Sequence, residues 1–88
     1  MITIQKQQIA TWLLMDYQAT LHTVREKVRL YERKYNQPWN VFEHHVKTSE
    51  KEDFSKWNDY IEWKAYVKMA EEFKKKIEEV KHGYFEIA

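Results

Sequence analysis

The segment ATWLLMDYQATLHTVREKVRLYERKY, residues 10–35, decides the fold because its apolar residues recur at alternating spacings of three and four. The recurring residues are Ala10, Leu14, Tyr17, Leu21, Val24, Val28, Tyr31 and Tyr35. An unbroken stripe of this kind over more than three heptads is typical of a helix that packs lengthwise against another helix. The sequence therefore predicts a first long helix over residues 3–35.

The rest of the chain has few residues that would interrupt a helix, with one glycine and one proline in 88 residues. Pro38 disfavours helix at the residue before it, so it ends the first helix and starts a short one over residues 38–46. A third helix is predicted over residues 50–82, followed by Gly83 as its C′ residue. Its stripe consists of Trp63, Tyr66, Ala70, Phe73, Ile77 and Val80.

These elements predict one all-α domain over residues 1–88, with the two long helices as an antiparallel hairpin and the short helix connecting them. The first helix is apolar on several sides near its N-terminus, more than one hairpin can bury. We therefore expect a homodimer that forms a four-helix bundle with two-fold symmetry. The residues expected in the dimer interface are Trp12, Leu14, Tyr17 and Leu21.

The stretch EDFSKWNDYIEWKAYVKM, residues 52–69, contains more aromatic and apolar residues than one helix–helix seam can bury. We interpret it as mainly core, with Phe54, Trp57 and Ile61 forming a second stripe out of phase with the first. Residues 84–88, YFEIA, form an apolar tail after Gly83. The residues expected to contact a protein partner are Tyr60, Val67, Tyr84, Phe85 and Ile87.

Composition argues against several other classes of protein. The chain has no cysteine, its formal net charge is +1, and no nucleophile–base pair stands out, so we expect no enzyme activity and no cofactor. His44 and His45 point about 100° apart on a helix and do not make a metal site. Acidic residues among the aromatic ones argue against nucleic acid. No apolar run spans a bilayer, and we expect a cytoplasmic protein.

Two segments together resemble a known group of proteins. They are VREKVRLYERKYNQPWNVFEHHV, residues 24–46, and EDFSKWNDYIEWKAYVKMAEEFKKKIEEVKHG, residues 52–83. These segments resemble small all-helical prokaryotic proteins, common in cyanobacteria and archaea, that are often encoded beside a toxin-like gene and are presumed antitoxins. The resemblance implies a protein that binds and silences a toxin-like partner by stoichiometric contact.

A second class of function remains open from the sequence. The alternative to the antitoxin-like function is a structural or regulatory helical homodimer whose protein partner is unrelated to toxins. A small toxin-like reading frame beside the gene would favour the first class, and a solitary gene the second.

Overall fold

A computed structural model describes residues 5–49 and 53–83 of the chain. Within those residues every regular element is an α-helix, which confirms the predicted all-α class. The helices are α1 over Lys6–Tyr35, α2 over Trp39–Thr48 and α3 over Phe54–Lys81. Residues 3 and 4 of the predicted first helix and residues 50–52 of the predicted third lie outside the described residues.

The helix ends follow from local backbone chemistry. Asn36 adopts the left-handed conformation at φ 52°, and its N–H donates to the carbonyl of Glu32, which closes α1. Pro38 is the N-cap of α2, and its carbonyl accepts from the N–H of Phe42 at 3.1 Å. Gly83 follows α3 at φ 76°, the C′ position predicted for it, where a residue with a Cβ would be strained.

Helix α3 begins later than the sequence predicted. Asp53 is extended, and its carboxylate accepts a hydrogen bond from the N–H of Lys56 at 3.2 Å. An aspartate in this position satisfies one of the N–H groups that a helix leaves unpaired at its first turn. Asp53 is therefore the N-cap, and the helix starts at Phe54.

Helices α1 and α3 lie side by side with opposite chain directions. Near the start of α1, Lys6 Nζ donates to the carbonyl oxygen of Gly83 at 3.3 Å. Further along, the rings of Tyr17 and Phe73 meet edge to face with 5.7 Å between centroids. All eight residues of the predicted α1 stripe and all six of the α3 stripe are buried or half-buried. The stripes read from the sequence are therefore the surfaces that pack together.

The core is concentrated where α2 joins the two long helices. Phe42, Tyr60 and Trp63 form its buried centre. The Phe42 and Trp63 ring centroids lie 4.8 Å apart, and Trp63 is fully buried. The half-buried side chains around them are Val28, Tyr31, Tyr35, Trp39, Val46 and Val67. Beyond α2, the helices α1 and α3 are the parts of the described chain that cover each other.

The molecule is a thin rod of 63 × 19 × 18 Å. Its radius of gyration is 17.7 Å, whereas a compact domain of this length would measure about 12 Å. Its accessible surface is 7148 Å², against roughly 5,600 Å² for a typical folded monomer of the same mass. The single chain therefore leaves an unusually large surface open to other molecules.

Two tryptophans six residues apart on α3 provide a test of this core. Trp63→Ala should lower the free energy of unfolding by about 3–5 kcal/mol, because it empties a fully buried aromatic site. Trp57→Ala removes a half-exposed ring and should lower the free energy of unfolding by about 1 kcal/mol or less. Urea unfolding followed by circular dichroism at one protein concentration measures both. Equal losses for the two variants would contradict this description of the core.

Candidate functional site

Three large apolar side chains of α3 lie on the helix face turned away from the core. Phe54, Trp57 and Ile61 follow spacings of three and four, so they share one face, and each is between 51 % and 78 % exposed. Ile61 and the buried Trp63 differ by about 200° around the helix axis. We name Phe54, Trp57 and Ile61 the α3 outer stripe.

Stacked rings connect the α3 outer stripe to the core. The ring of Trp57 stacks on Tyr60 with 5.2 Å between centroids. Tyr60 in turn stacks on Trp39 of α2 at 5.4 Å. Two rotatable bonds and a packed neighbouring ring give Trp57 little freedom to lose on binding, so it can serve as a preorganised anchor for another molecule.

Tyr60 and Val67, which the sequence predicts at a partner contact, do not lie on the α3 outer stripe. Tyr60 is only 5 % exposed because α2 covers its side of α3, so it supports the surface but contributes almost no area to it. Val67 is half-buried and packs against the aromatic core for the same reason. Tyr84, Phe85 and Ile87 lie outside the described residues. The exposed face of α3 is the stripe of Phe54, Trp57 and Ile61, which the sequence places out of phase with the inner stripe.

Three of the four predicted dimer residues are engaged within the chain. Leu21 is buried, Leu14 is half-buried, and Tyr17 packs its ring against Phe73. The physical reason is that α3 itself covers the α1 stripe to which they belong. Trp12 differs, since it points away from α3 and is mostly exposed. Of these four side chains, Trp12 offers the most surface for a second copy.

A polar cluster joins α1 to α3 next to the aromatic core. The Asp59 carboxylate accepts from Lys34 Nζ at 2.6 Å and from the Tyr35 hydroxyl. The Tyr31 hydroxyl donates to the Glu62 carboxylate one turn along. These bonds fix the register of the two helices, because each one connects a specific pair of turns.

The ionisation of this cluster suits a structural role. The hydrogen bonds from Lys34 and Tyr35 hold the pKa of Asp59 below its usual value. Burial, followed by hydrogen bonding to Glu62, raises the pKa of Tyr31. Burial, followed by the hydrogen bond to Asp59, likewise raises the pKa of Tyr35. A lowered pKa makes Asp59 a weaker base, and raised pKa values make Tyr31 and Tyr35 weaker acids. Such groups do not favour proton transfer near neutral pH.

A depression of about 410 Å³ lies at the C-terminal end of α1. Its lining residues are Arg29, Glu32, Arg33, Asn36, Gln37 and Pro38. Arg29 and Arg33 are one turn apart and would attract an anion. Glu32 and the negative end of the helix dipole oppose one at the same place. The opposing charges indicate no particular class of ligand.

Metal ligands do not converge in the part of the chain that the structure describes. The rings of His44 and His45 diverge, with 6.4 Å between centroids and 50° between planes. Across residues 5–49 and 53–83, no group of three histidine or carboxylate side chains is placed to hold an ion. In the same residues, none of the helices contains an apolar segment of the length that a bilayer requires.

Comparison of the chain with protein-family models, with curated proteins and with solved structures finds no match. The surfaces described above are therefore the basis for assigning a function. Among them, the α3 outer stripe combines large exposed apolar area with a rigid support.

The polar cluster predicts a defined dependence of stability on pH. The lowered pKa of Asp59 adds stability above its unfolded pKa of about 4, and this is lost as pH falls through the folded value. The raised pKa of Tyr35 adds stability below its unfolded pKa of about 10, and this is lost as pH rises through the folded value. The cluster should therefore stabilise the fold fully between these two limits.

Tyr35→Phe should lower the free energy of unfolding by about 1 kcal/mol at pH 7, the net value of one hydrogen bond. The difference in the free energy of unfolding between Tyr35→Phe and the unaltered chain should shrink at about pH 11, because Tyr35 then ionises in the unfolded state. Urea unfolding at both pH values measures it. Tyr66→Phe is the matched control, since the Tyr66 hydroxyl shows no hydrogen bond among the described residues. A constant difference across pH would rule out the proposed role of Tyr35.

Proposed function

We propose that this chain is a non-enzymatic protein-binding module that acts by stoichiometric contact through the α3 outer stripe. The observation that carries the proposal is the exposure of Phe54, Trp57 and Ile61 on one helix face opposite the core. An apolar row on a folded surface costs free energy in water unless another surface covers it. A binding partner supplies that cover.

The shape and charge of the stripe favour a protein over other ligands. Anchors at spacings of three and four on one convex helix face are the pattern with which a helix inserts into an apolar groove. A small molecule would instead need a concave pocket. Asp53, directly before the stripe, would repel the phosphates of a nucleic acid, whereas Asp59 and Glu62 are bound to α1.

The resemblance of residues 24–46 and 52–83 to antitoxin-like proteins supports a toxin-like protein as the partner. In that function the partner's groove accepts Phe54, Trp57 and Ile61, and occupation of the groove silences the partner. Stoichiometric inhibition of this kind requires no catalytic group on this chain. It requires a rigid apolar anchor, which the stacking of Trp57 on Tyr60 provides.

A second candidate function is a structural or regulatory homodimer. The exposure of Trp12, Met15 and Leu30 on α1 favours it, because these residues lie on neither the α3 outer stripe nor the core. In this arrangement two α1–α3 hairpins associate as a four-helix assembly. Both functions are compatible, since the surface of the chain exceeds that of a typical monomer by roughly 1,500 Å². A standard interface removes about 800 Å² per partner.

The test first asks whether a small toxin-like reading frame lies beside the gene and then expresses its product with this chain and alone. Growth arrest by that product should be relieved by the unaltered chain. Trp57→Ala should weaken the purified complex by tenfold or more, about 1.4 kcal/mol, because a central aromatic anchor is lost. Titration calorimetry measures the affinity, and circular dichroism checks that helix content is unchanged.

Met69→Ala is the matched control on the same helix. Met69 is also partly exposed, but it lies beyond Lys64 and Lys68, outside the stripe. The control should bind as the unaltered chain does. A Trp57→Ala complex of undiminished affinity would exclude the α3 outer stripe as the contact surface.

The predicted contribution of the tail is tested separately. Deleting residues 84–88 should leave helicity nearly unchanged and weaken partner binding by tenfold or more if Tyr84, Phe85 and Ile87 are also anchors. Loss of folding on deletion would assign the tail to the core instead. Unchanged affinity would limit the contact surface to α3.

A further inference from the structure

The face of α1 opposite α3 has a regular pattern of large apolar and small side chains. Trp12, Ala19, Thr23 and Leu30 follow spacings of seven, four and seven, which places them within about 40° of one another around the helix. All four are exposed, and Met15 lies exposed at the edge of the row. Trp12, Met15 and Leu30 are between 53 % and 65 % exposed. We name Trp12, Ala19, Thr23 and Leu30 the α1 outer face.

The α1 outer face is symmetric about the position of Leu21. Ala19 and Thr23 lie two residues before and after it, and Trp12 and Leu30 lie nine before and after it. Small side chains therefore stand at the centre and large apolar ones at both ends. When an identical helix is laid across it in the opposite direction, each large residue meets a large one and each small residue meets a small one. Small residues at a crossing allow helix axes to approach closely.

On one flank of this face, two charged residues are complementary under the same operation. Asp16 lies five residues before Leu21, and Lys27 lies six after it on the same flank of α1. Neither residue has an ion pair among the described residues. Eleven residues separate them, about 16 Å along the helix, so they do not reach each other within one chain. Antiparallel pairing would bring Asp16 of each copy beside Lys27 of the other.

Antiparallel pairing would place Glu26, five residues after Leu21, at the same height as Asp16 of the other copy but on the opposite flank of the row. Glu26 lies at the edge of the row, and its carboxylate binds the guanidinium of Arg29 in the same chain. That exposed ion pair offsets part of the charge of Glu26 and holds its carboxylate along α1. The four residues on the centre line of the row are uncharged.

We propose that the α1 outer face binds a second copy of this chain, with the two α1 helices antiparallel and the two-fold axis at the position of Leu21. This proposal rests on the homodimer suggested above and specifies its interface. Trp12 packs against Leu30 of the partner subunit, and Ala19 packs against Thr23 of the partner subunit. Asp16 pairs with Lys27 of the partner subunit, so that two equivalent ion pairs flank the axis.

The length of the contact is sufficient for a stable dimer. With the axis at Leu21, residues 7–35 of each α1 overlap, which corresponds to about 43 Å of helix at 1.5 Å per residue. Contact along most of one side of a helix this long is of the order of the 800 Å² per partner that standard interfaces bury. The core of each chain and its α3 outer stripe stay outside this contact.

Charge reversal tests the pairing directly. Asp16→Lys and Lys27→Asp should each weaken the dimer about tenfold or more, because each places two like-charged pairs across the axis. Mixing the two single variants should restore association as a heterodimer, since every flanking pair is then of opposite sign. The double variant should restore a homodimer. Sedimentation equilibrium over a concentration series measures the mass against the 10.9 kDa chain.

Cysteine cross-linking tests the register independently, because the chain has no cysteine of its own. A mixture of Ala19→Cys and Thr23→Cys chains should form a disulfide-linked dimer under mild oxidation. A mixture of Trp12→Cys and Thr23→Cys should not, because the two positions would be offset by about 10 Å along the axis and a disulfide needs Cα atoms within about 7 Å. Circular dichroism confirms that the variants retain their helix content.

Each outcome decides between specific alternatives. A monomeric unaltered chain would overturn both the dimer and this interface and would leave the α1 outer face to a different protein. A dimer that tolerates both charge reversals, or that cross-links equally in the control mixture, would overturn this interface while the dimer itself stands. Rescue by mixing supports the proposal specifically, because no contact within one chain can produce it.

Discussion

Trp63 is the side chain on which all three helices depend. It is fully buried and stacks on Tyr31 of α1 with 5.7 Å between centroids, and its ring lies 4.8 Å from that of Phe42 on α2. One indole thus makes α1, α2 and α3 into a single packed unit. Its Nε1 is buried without an acceptor among the described residues, a cost that the surrounding aromatic packing has to exceed.

The position of this cluster explains why the rest of the molecule is thin. The α2 helix covers only the half of the rod that contains Trp63, and beyond it α1 and α3 cover each other along a single seam. A helix in such a pair buries one stripe and leaves the opposite face in water. Where that opposite face is apolar, as at Trp57 on α3 and Trp12 on α1, it carries the contacts with other chains that we propose.

The interior and the two outer faces have separate physical roles. The inner stripes, the aromatic cluster and the bonds of Asp59 with Lys34 and Tyr35 fix the helix register. The outer faces contribute little to that register, and their apolar area is available for association. Stacking of Trp57 on Tyr60 connects the two roles, because the core holds the surface ring in place.

Helix periodicity was sufficient to predict the all-α class, the residues of both inner stripes and the C′ glycine at residue 83. It also separated Phe54, Trp57 and Ile61 from the inner stripe of α3. Spacing did not reveal which of two apolar stripes a neighbouring helix would cover. Leu14, Tyr17 and Leu21, which the sequence predicts at a dimer contact, lie on the stripe against which α3 packs, and their part in a dimer stays a prediction.

The sequence by itself determined where helices form and which faces of them are apolar, because both depend on local spacing and on residues such as Pro38 and Gly83. Only the tertiary structure decided that α2 buries Tyr60 and leaves Trp57 half exposed, although the two rings are three residues apart on one helix. The physical reason is that burial depends on which helix packs where, and the placement of α2 is set by the joint packing of Trp39, Phe42 and Trp63.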